Sequence, residues 1–183
     1  MKIKFLNNQS WNEVSREERF FCAKLYSQME LDVVPMLDLL GINKDKQFDI
    51  GYEVCFYRDV LKAHGKRVSQ TRLPSKRTFD LMLISDDELH IIEAKAQQRF
   101  DGVQFENIDN DKEHINALFE KIGQNKPEVQ IHALISSNYH PKPTTKSHFN
   151  GEPIFWKDVA EKYTAAKEIF MRADKIYEKA RKP

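Results

Sequence analysis

The spacing of hydrophobic positions changes character partway along the chain. Residues 13–29 carry Phe20, Phe21, Leu25 and Met29 near one helical face, which predicts an amphipathic helix. Ser15 and Glu18 stand at capping-box spacing at its start. A shorter helix is expected over residues 33–40, stopped by Gly41. Residues 48–63 fit helix and strand periods alike, and helix is favoured from about Tyr52 onward. After that the pattern turns strand-like. Residues 66–72 are read as a first strand ended by Pro74. Residues 78–84 and 88–95 are read as two more, joined by a Ser85-Asp86-Asp87 turn. Residues 109–123 return to the helical period, with Ile115, Leu118, Phe119 and Ile122 inward and Gly123 as a stop. A fourth strand over 128–135, a long polar loop from Ser136 to Glu152, a short strand at Pro153-Ile154-Phe155-Trp156 and a long terminal helix over 157–181 complete the reading. Helices, then a strand meander, then helix, strand and helix imply an α/β fold. Its mixed central sheet is flanked by helices, with a long C-terminal helix added.

Composition narrows the class. With 183 residues, no internal repeat and no low-complexity linker, the chain reads as one domain. The apolar share of 40% and charged share of 31% are those of an ordinary globular protein. Cys22 and Cys55 are too few for a disulfide framework or a cysteine-rich zinc site. The N-terminus lacks a secretory h-region, and no apolar run reaches the roughly 18 residues a membrane span needs. A cytoplasmic protein with no membrane partner is expected. The net charge of +1 argues neither for nor against a polyanionic ligand, so the placement of charge matters more than its sum.

The segment 78–98, TFDLMLISDDELHIIEAKAQQ, places Asp80 and Glu93 inside apolar runs, with Lys95 two residues further on. A buried unpaired carboxylate is costly. If Asp86-Asp87 is a two-residue loop, Ser85 pairs with Glu88 and, counting back, Asp80 pairs with Glu93. Opposed residues share a face, with Cβ atoms about 4.5–5.5 Å apart. Lys95 then lies on that face too, by alternation. Like charges set directly across two strands repel, and a divalent cation between them reverses that. Two carboxylates completed by water and a phosphate oxygen suit Mg²⁺. An adjacent lysine can orient or deprotonate a water, or stabilise charge building on the phosphate.

Asp80, twelve intervening residues and then Glu93-Ala94-Lys95 resemble the core motif of the PD-(D/E)XK nuclease superfamily. Phe79 stands where the motif has its naming proline. The tyrosine of the Gln-x-x-x-Tyr signature of the recombination exonucleases is missing after Gln97 and Gln98. The resemblance implies a restriction-endonuclease-like α-β-β-β-α-β core over about residues 13–135, with about 136–183 as an extension. It implies Mg²⁺- or Mn²⁺-dependent hydrolysis of phosphodiesters in nucleic acid, DNA ahead of RNA. By the same resemblance, Asp80 and Glu93 match the metal ligands, the Ala94 carbonyl a further ligand, and Lys95 the catalytic lysine. An acid on the first helix often completes such sites, with Glu18 the first candidate and Glu53 the second. The alternative is a non-catalytic nucleic-acid-binding or accessory subunit on the same fold.

Phosphate contacts dominate nucleic-acid affinity. Lys66, Arg67, Arg72, Lys76 and Arg77, in an acid-free stretch leading into the Asp80 strand, are the candidate phosphate contacts, followed by Gln97 and Gln98. On the terminal helix, Val159, Tyr163, Ala166, Phe170, Ala173, Tyr177 and Ala180 alternate steps of four and three, a heptad seam. Two readings of the seam stay open: packing on the parent domain, or a homodimer through this helix.

Overall fold

The computed structural model describes residues 4–141 and 143–179. In chain order the helices are α1 (Trp11–Val14), α2 (Glu18–Leu31), α3 (Val34–Leu40), α4 (Phe56–Ala63), α5 (Gly102–Ile122), α6 (Pro143–Lys146), α7 (Trp156–Lys162) and α8 (Lys167–Lys179). The strands are β1 (Asp49–Val54), β2 (Phe79–Ile84), β3 (Glu88–Ala94), β4 (Glu128–Ile135) and β5 (Ile154–Phe155). They form one sheet in sequence order. The β1–β2–β3 meander is antiparallel, while β4 and β5 run parallel to β3. The long crossover helix α5 makes the parallel β3–β4 step possible.

Helices cover both sheet faces. On one, Phe21, Leu25, Leu37, Trp156 and Phe170 pack against Leu81, Leu83, Ile92 and Leu134. On the other, Phe56, Tyr57, Leu61, Ile108 and Leu118 pack against Met82, Leu89, Ile91 and Ile131. The protein is therefore α/β, with a five-stranded mixed sheet between helical layers. Strands buried on both faces read as near-continuous apolar runs, which explains FDLMLI and ELHIIEA.

Several elements differ from the sequence reading, the first being the helix expected over residues 13–29, which is split into α1 and α2. The first strand of the meander is β1, not residues 66–72, which form only a 3₁₀ turn at Val68–Gln70. Ile50 and Tyr52 pack on one face of the sheet and Val54 on the other, and the edge of β2 recruits the segment into the sheet. Helix begins only at Phe56, where Phe56, Tyr57 and Leu61 supply a buried stripe. A Cβ on Gly51 would strike Val54 and Met82, so β1 needs glycine there. Helix α5 starts well before residue 109. Asp101 accepts from the Gln104 amide at 2.8 Å, and Gln104 accepts from the Asp101 amide at 3.1 Å. That is a capping box of Asp-x-x-Gln form.

The C-terminal segment is not one continuous helix. Tyr163, with φ −102° and ψ 72°, breaks it, and a 3₁₀ turn over Thr164–Ala166 leads into α8. The break lets both pieces pack on the same core. Val159, Tyr163, Ala166, Phe170 and Ala173 are buried there and Tyr177 is buried in the core on the other sheet face, and the Trp156 and Phe170 rings stack 6.0 Å apart. A seam covered by its own domain offers no surface for a homodimer. Its last position, Ala180, lies outside the described residues. Among the described residues no helix is long and apolar enough to cross a membrane.

Candidate active site at the splayed end of the central hairpin

The β2–β3 register is the one expected from a two-residue loop. Ile84 faces Leu89, Leu83 faces His90, Met82 faces Ile91 and Leu81 faces Ile92. Ser85 closes the turn by donating to the Glu88 carbonyl at 2.9 Å. One step further along this register Asp80 comes opposite Glu93. The ladder ends at Leu81–Ile92, and the Ala94 amide donates to Asp80 Oδ2 at 2.9 Å.

On the other side of β2, Tyr52 faces Leu81 and Val54 faces Phe79. Glu53, between them, stands opposite Asp80 with φ at +51°. That left-handed conformation is unfavourable for glutamate. Three acids, Glu53, Asp80 and Glu93, thus occupy adjacent positions across three strands, beside the point where the β2–β3 ladder ends.

The fourth acid comes from α2. Its N-cap is Glu17, so the expected Ser15–Glu18 capping box does not form. Glu18 instead reaches across to the end of β3. Its Oε1 accepts from Lys95 Nζ at 2.8 Å and its Oε2 from the Ala96 amide at 3.2 Å. Lys95 Nζ also donates to the Ala94 carbonyl at 2.8 Å. The Lys95 backbone is pinned by donation to Leu134 O at 2.8 Å and by Trp156 Nε1 donating to its carbonyl at 3.1 Å. Of the candidate catalytic residues, the structure therefore gathers Asp80, Glu93, Lys95, Glu18 and Glu53 in one place.

The charges do not balance. Among the described residues, Glu18, Glu53, Asp80, Glu93 and the buried Asp111 face three cations: Lys95 on Glu18, Arg19 on Glu53 at 3.2 Å, and Arg77 on Glu93 and Asp111. With all five carboxyls ionised the excess is two negative charges. Burial, reinforced by the Asp80 charge and only partly relieved by Arg77 and Lys95, pushes the Glu93 carboxyl up to about 7. Burial likewise raises Glu18 against the pull of Lys95, and raises Glu53 against that of Arg19. Burial draws the Lys95 amine down, but the charge and hydrogen bond of Glu18, with Asp80 and Glu93, more than offset it. The amine is held above the usual lysine range.

Among the described residues no three His, Cys, Asp or Glu side chains form a ready-made metal cage. The donors available are the Asp80 and Glu93 carboxylates and the Ala94 carbonyl, at neighbouring positions of β2 and β3. Such a partial protein shell suits Mg²⁺, which keeps water or phosphate oxygens for the rest of its sphere. An excess of two negative charges also matches a divalent ion, so the donor set and the charge both fit.

The basic candidates divide. Arg67, Arg72 and Lys76 are exposed and free to meet phosphate. The Lys66 ammonium is engaged by the Lys121 carbonyl at the end of α5. Arg77 is not a surface cation: it points inward between Glu93 and Asp111, because two buried carboxylates hold it more strongly than water can. The Gln97 side chain donates to the Arg16 carbonyl. Gln97 and Gln98 line a pocket of about 150 Å³ together with Glu17, Glu18 and Lys95, so this pair does border the cluster. Asp111 and Tyr57 escape the sequence reading. Asp111 had a signal, since it occupies an inward position of α5 between Ile108 and Ile115, where an acid needs a partner. The sequence matches no protein-family model and no curated protein at a significant level.

Proposed function

We propose that the protein is a metal-dependent nuclease of the PD-(D/E)XK type, hydrolysing phosphodiester bonds in nucleic acid, DNA ahead of RNA. The observation that carries this reading is the row of Glu53, Asp80 and Glu93 across the open end of β1–β3, beside Lys95, with two negative charges uncompensated. The order of α2, the β1–β2–β3 meander, α5 and β4 supports a restriction-endonuclease-like core, with α4 inserted after the first strand and β5, α7 and α8 added at the end.

In this reading Asp80, Glu93 and the Ala94 carbonyl hold the ion. When bound, Mg²⁺ or Mn²⁺ supplies a Lewis acid for a phosphoryl oxygen and lowers the pKa of a coordinated water. Lys95, kept protonated by Glu18, donates hydrogen bonds and stabilises negative charge building on the phosphate; it is a poor proton acceptor. Glu18 keeps the amine aimed beside the pocket that it lines with Gln97 and Gln98. Arg67, Arg72 and Lys76, on the segment leading into β2, would take the flanking phosphates. A second reading, a binding or accessory subunit on this fold, draws on one observation: Arg77 and Lys95 already engage Glu93 and the Ala94 carbonyl.

The two readings part on one experiment. Purified protein is incubated with labelled single- and double-stranded DNA and RNA, with and without Mg²⁺ or Mn²⁺. Metal-dependent cleavage that disappears in Asp80→Asn and Lys95→Ala is expected. Binding without cleavage under every condition would favour the accessory role.

A further inference from the structure

Arg77 has an unusually complete set of partners. Its Nε donates to Asp111 Oδ2 at 2.8 Å, and its Nη2 lies 2.7 Å from the same oxygen and 2.6 Å from Glu93 Oε1. Its Nη1 donates to the Thr78 carbonyl at 3.1 Å. The guanidinium lies 5.1 Å from the centre of the Phe79 ring. The other Asp111 oxygen accepts from the Tyr57 hydroxyl at 2.7 Å. Tyr57 on α4, Asp111 on α5, Arg77 before β2 and Glu93 on β3 thus form one chain of contacts. Arg77 cannot turn away without leaving Asp111 charged and unpaired in the core, which is strongly unfavourable.

The guanidinium takes only one Glu93 oxygen. Among the described residues Oε2 has no hydrogen-bond donor. We propose that Arg77 is a resident counter-cation: a positioning residue, anchored by Asp111 and Tyr57, that fixes Glu93 beside Asp80 and sets how tightly a divalent cation binds between them. This rests on the metal-site reading above. A fixed positive charge against one ligand opposes an incoming cation, and the Asp111 charge behind it offsets part of that opposition. Removing the two charges should therefore move metal affinity in opposite directions. A mere structural brace predicts weakening in both cases.

The test is calorimetric titration of the full chain with Mg²⁺ and with Mn²⁺ at fixed ionic strength, paired with thermal melts with and without metal. Arg77→Gln is expected to bind about tenfold more tightly, and Asp111→Asn about tenfold more weakly. Arg77→Lys, which keeps the charge, should stay close to the wild type. Arg77→Gln should also melt lower than wild type without metal and recover when metal is added. If Asp111→Asn does not fold, the contrast between Arg77→Gln and Arg77→Lys decides. Weakening in both Arg77→Gln and Asp111→Asn, or an unchanged Arg77→Gln, overturns the inference while leaving the metal site standing. So does an Arg77→Gln protein that stays unfolded with metal present. Absence of any metal binding by the wild type overturns the site itself, and this inference with it.

Discussion

Strand β3 carries an acid near each end, and the two ends behave oppositely. At the Glu88 end, Lys46 bridges Asp87 at 2.8 Å and also engages Glu88. His90 Nε2 sits 3.0 Å from Glu88 Oε2, and His90 Nδ1 lies 3.1 Å from His132 Nε2. Hydrogen bonds from Lys46 first, then from Ser85 to Asp87 and from His90 to Glu88, hold both carboxyls below their ordinary range. At the Glu93 end, Glu18, Glu53 and Glu93 are all pushed up, by burial first. Residue type does not separate the two clusters; solvent and the count of cations do. Acids held low are satisfied and serve the fold. Acids held high carry an unfavourable interaction that a bound cation would relieve.

The largest separation between the two ends is expected in catalysis. Asp80→Asn and Lys95→Ala should each cut metal-dependent cleavage of labelled nucleic acid by at least about 100-fold, since even losing a residue behind a metal ligand costs about 10–100-fold. Lys46→Met should leave the rate unchanged. Equal loss in all three would erase the distinction.

The next contrast is in pH dependence without metal. Glu93 has a folded pKa raised to about 7. Its contribution to stability is complete below its unfolded pKa and is lost as pH rises through 7. His132, drawn down to about 4 by burial and then by the neighbouring His90 charge, does the reverse. Its contribution is present above its unfolded pKa and is lost as pH falls through 4. The two slopes oppose each other between pH 4 and 7, so these two contributions largely cancel in the wild type. In Glu93→Gln, stability by denaturant titration should rise with pH over that range. In His132→Asn it should fall. Neither change should exceed about 3.5 kcal/mol.

Ligand-induced stabilisation gives a smaller reading of the same difference. At a metal concentration about 100 times Kd the folded state gains about 2.7 kcal/mol. That gain should vanish in Asp80→Asn and Glu93→Gln and persist in Glu88→Gln, as read by melting temperature. The smallest effect is expected at Glu53. Glu53→Gly relieves both the φ of +51° and the repulsion from Asp80, and should stabilise the metal-free protein by about 1 kcal/mol. A destabilised variant would mean that the Arg19 pair outweighs the strain.

Much of this was legible locally. The Ser85-Asp86-Asp87 turn sets the hairpin register, and the register alone brings Asp80 opposite Glu93. The apolar period gave β4 to the residue and α3 to within one residue, but it ran the first helix through the break at residues 15–17 that separates α1 from α2. Other features were not legible. Residues 48–63 carry both periods, and β1 became a strand because the edge of β2 accepts it. The terminal seam reads as a heptad whether it meets a second chain or its own core, and the turn at Tyr163 settles it for the core.

What the chain's own pattern determined is the hairpin, its paired acids and the neighbouring lysine, because spacing along two connected strands is a local property. Tertiary packing alone decided that Glu18 leaves its cap to hold Lys95, that Glu53 completes the acidic row, and that Arg77 turns inward to Asp111. Those contacts join residues 77, 27 and 34 positions apart. No local period encodes them; they arise when α2 and α5, on opposite faces of the sheet, meet the ends of β1, β2 and β3.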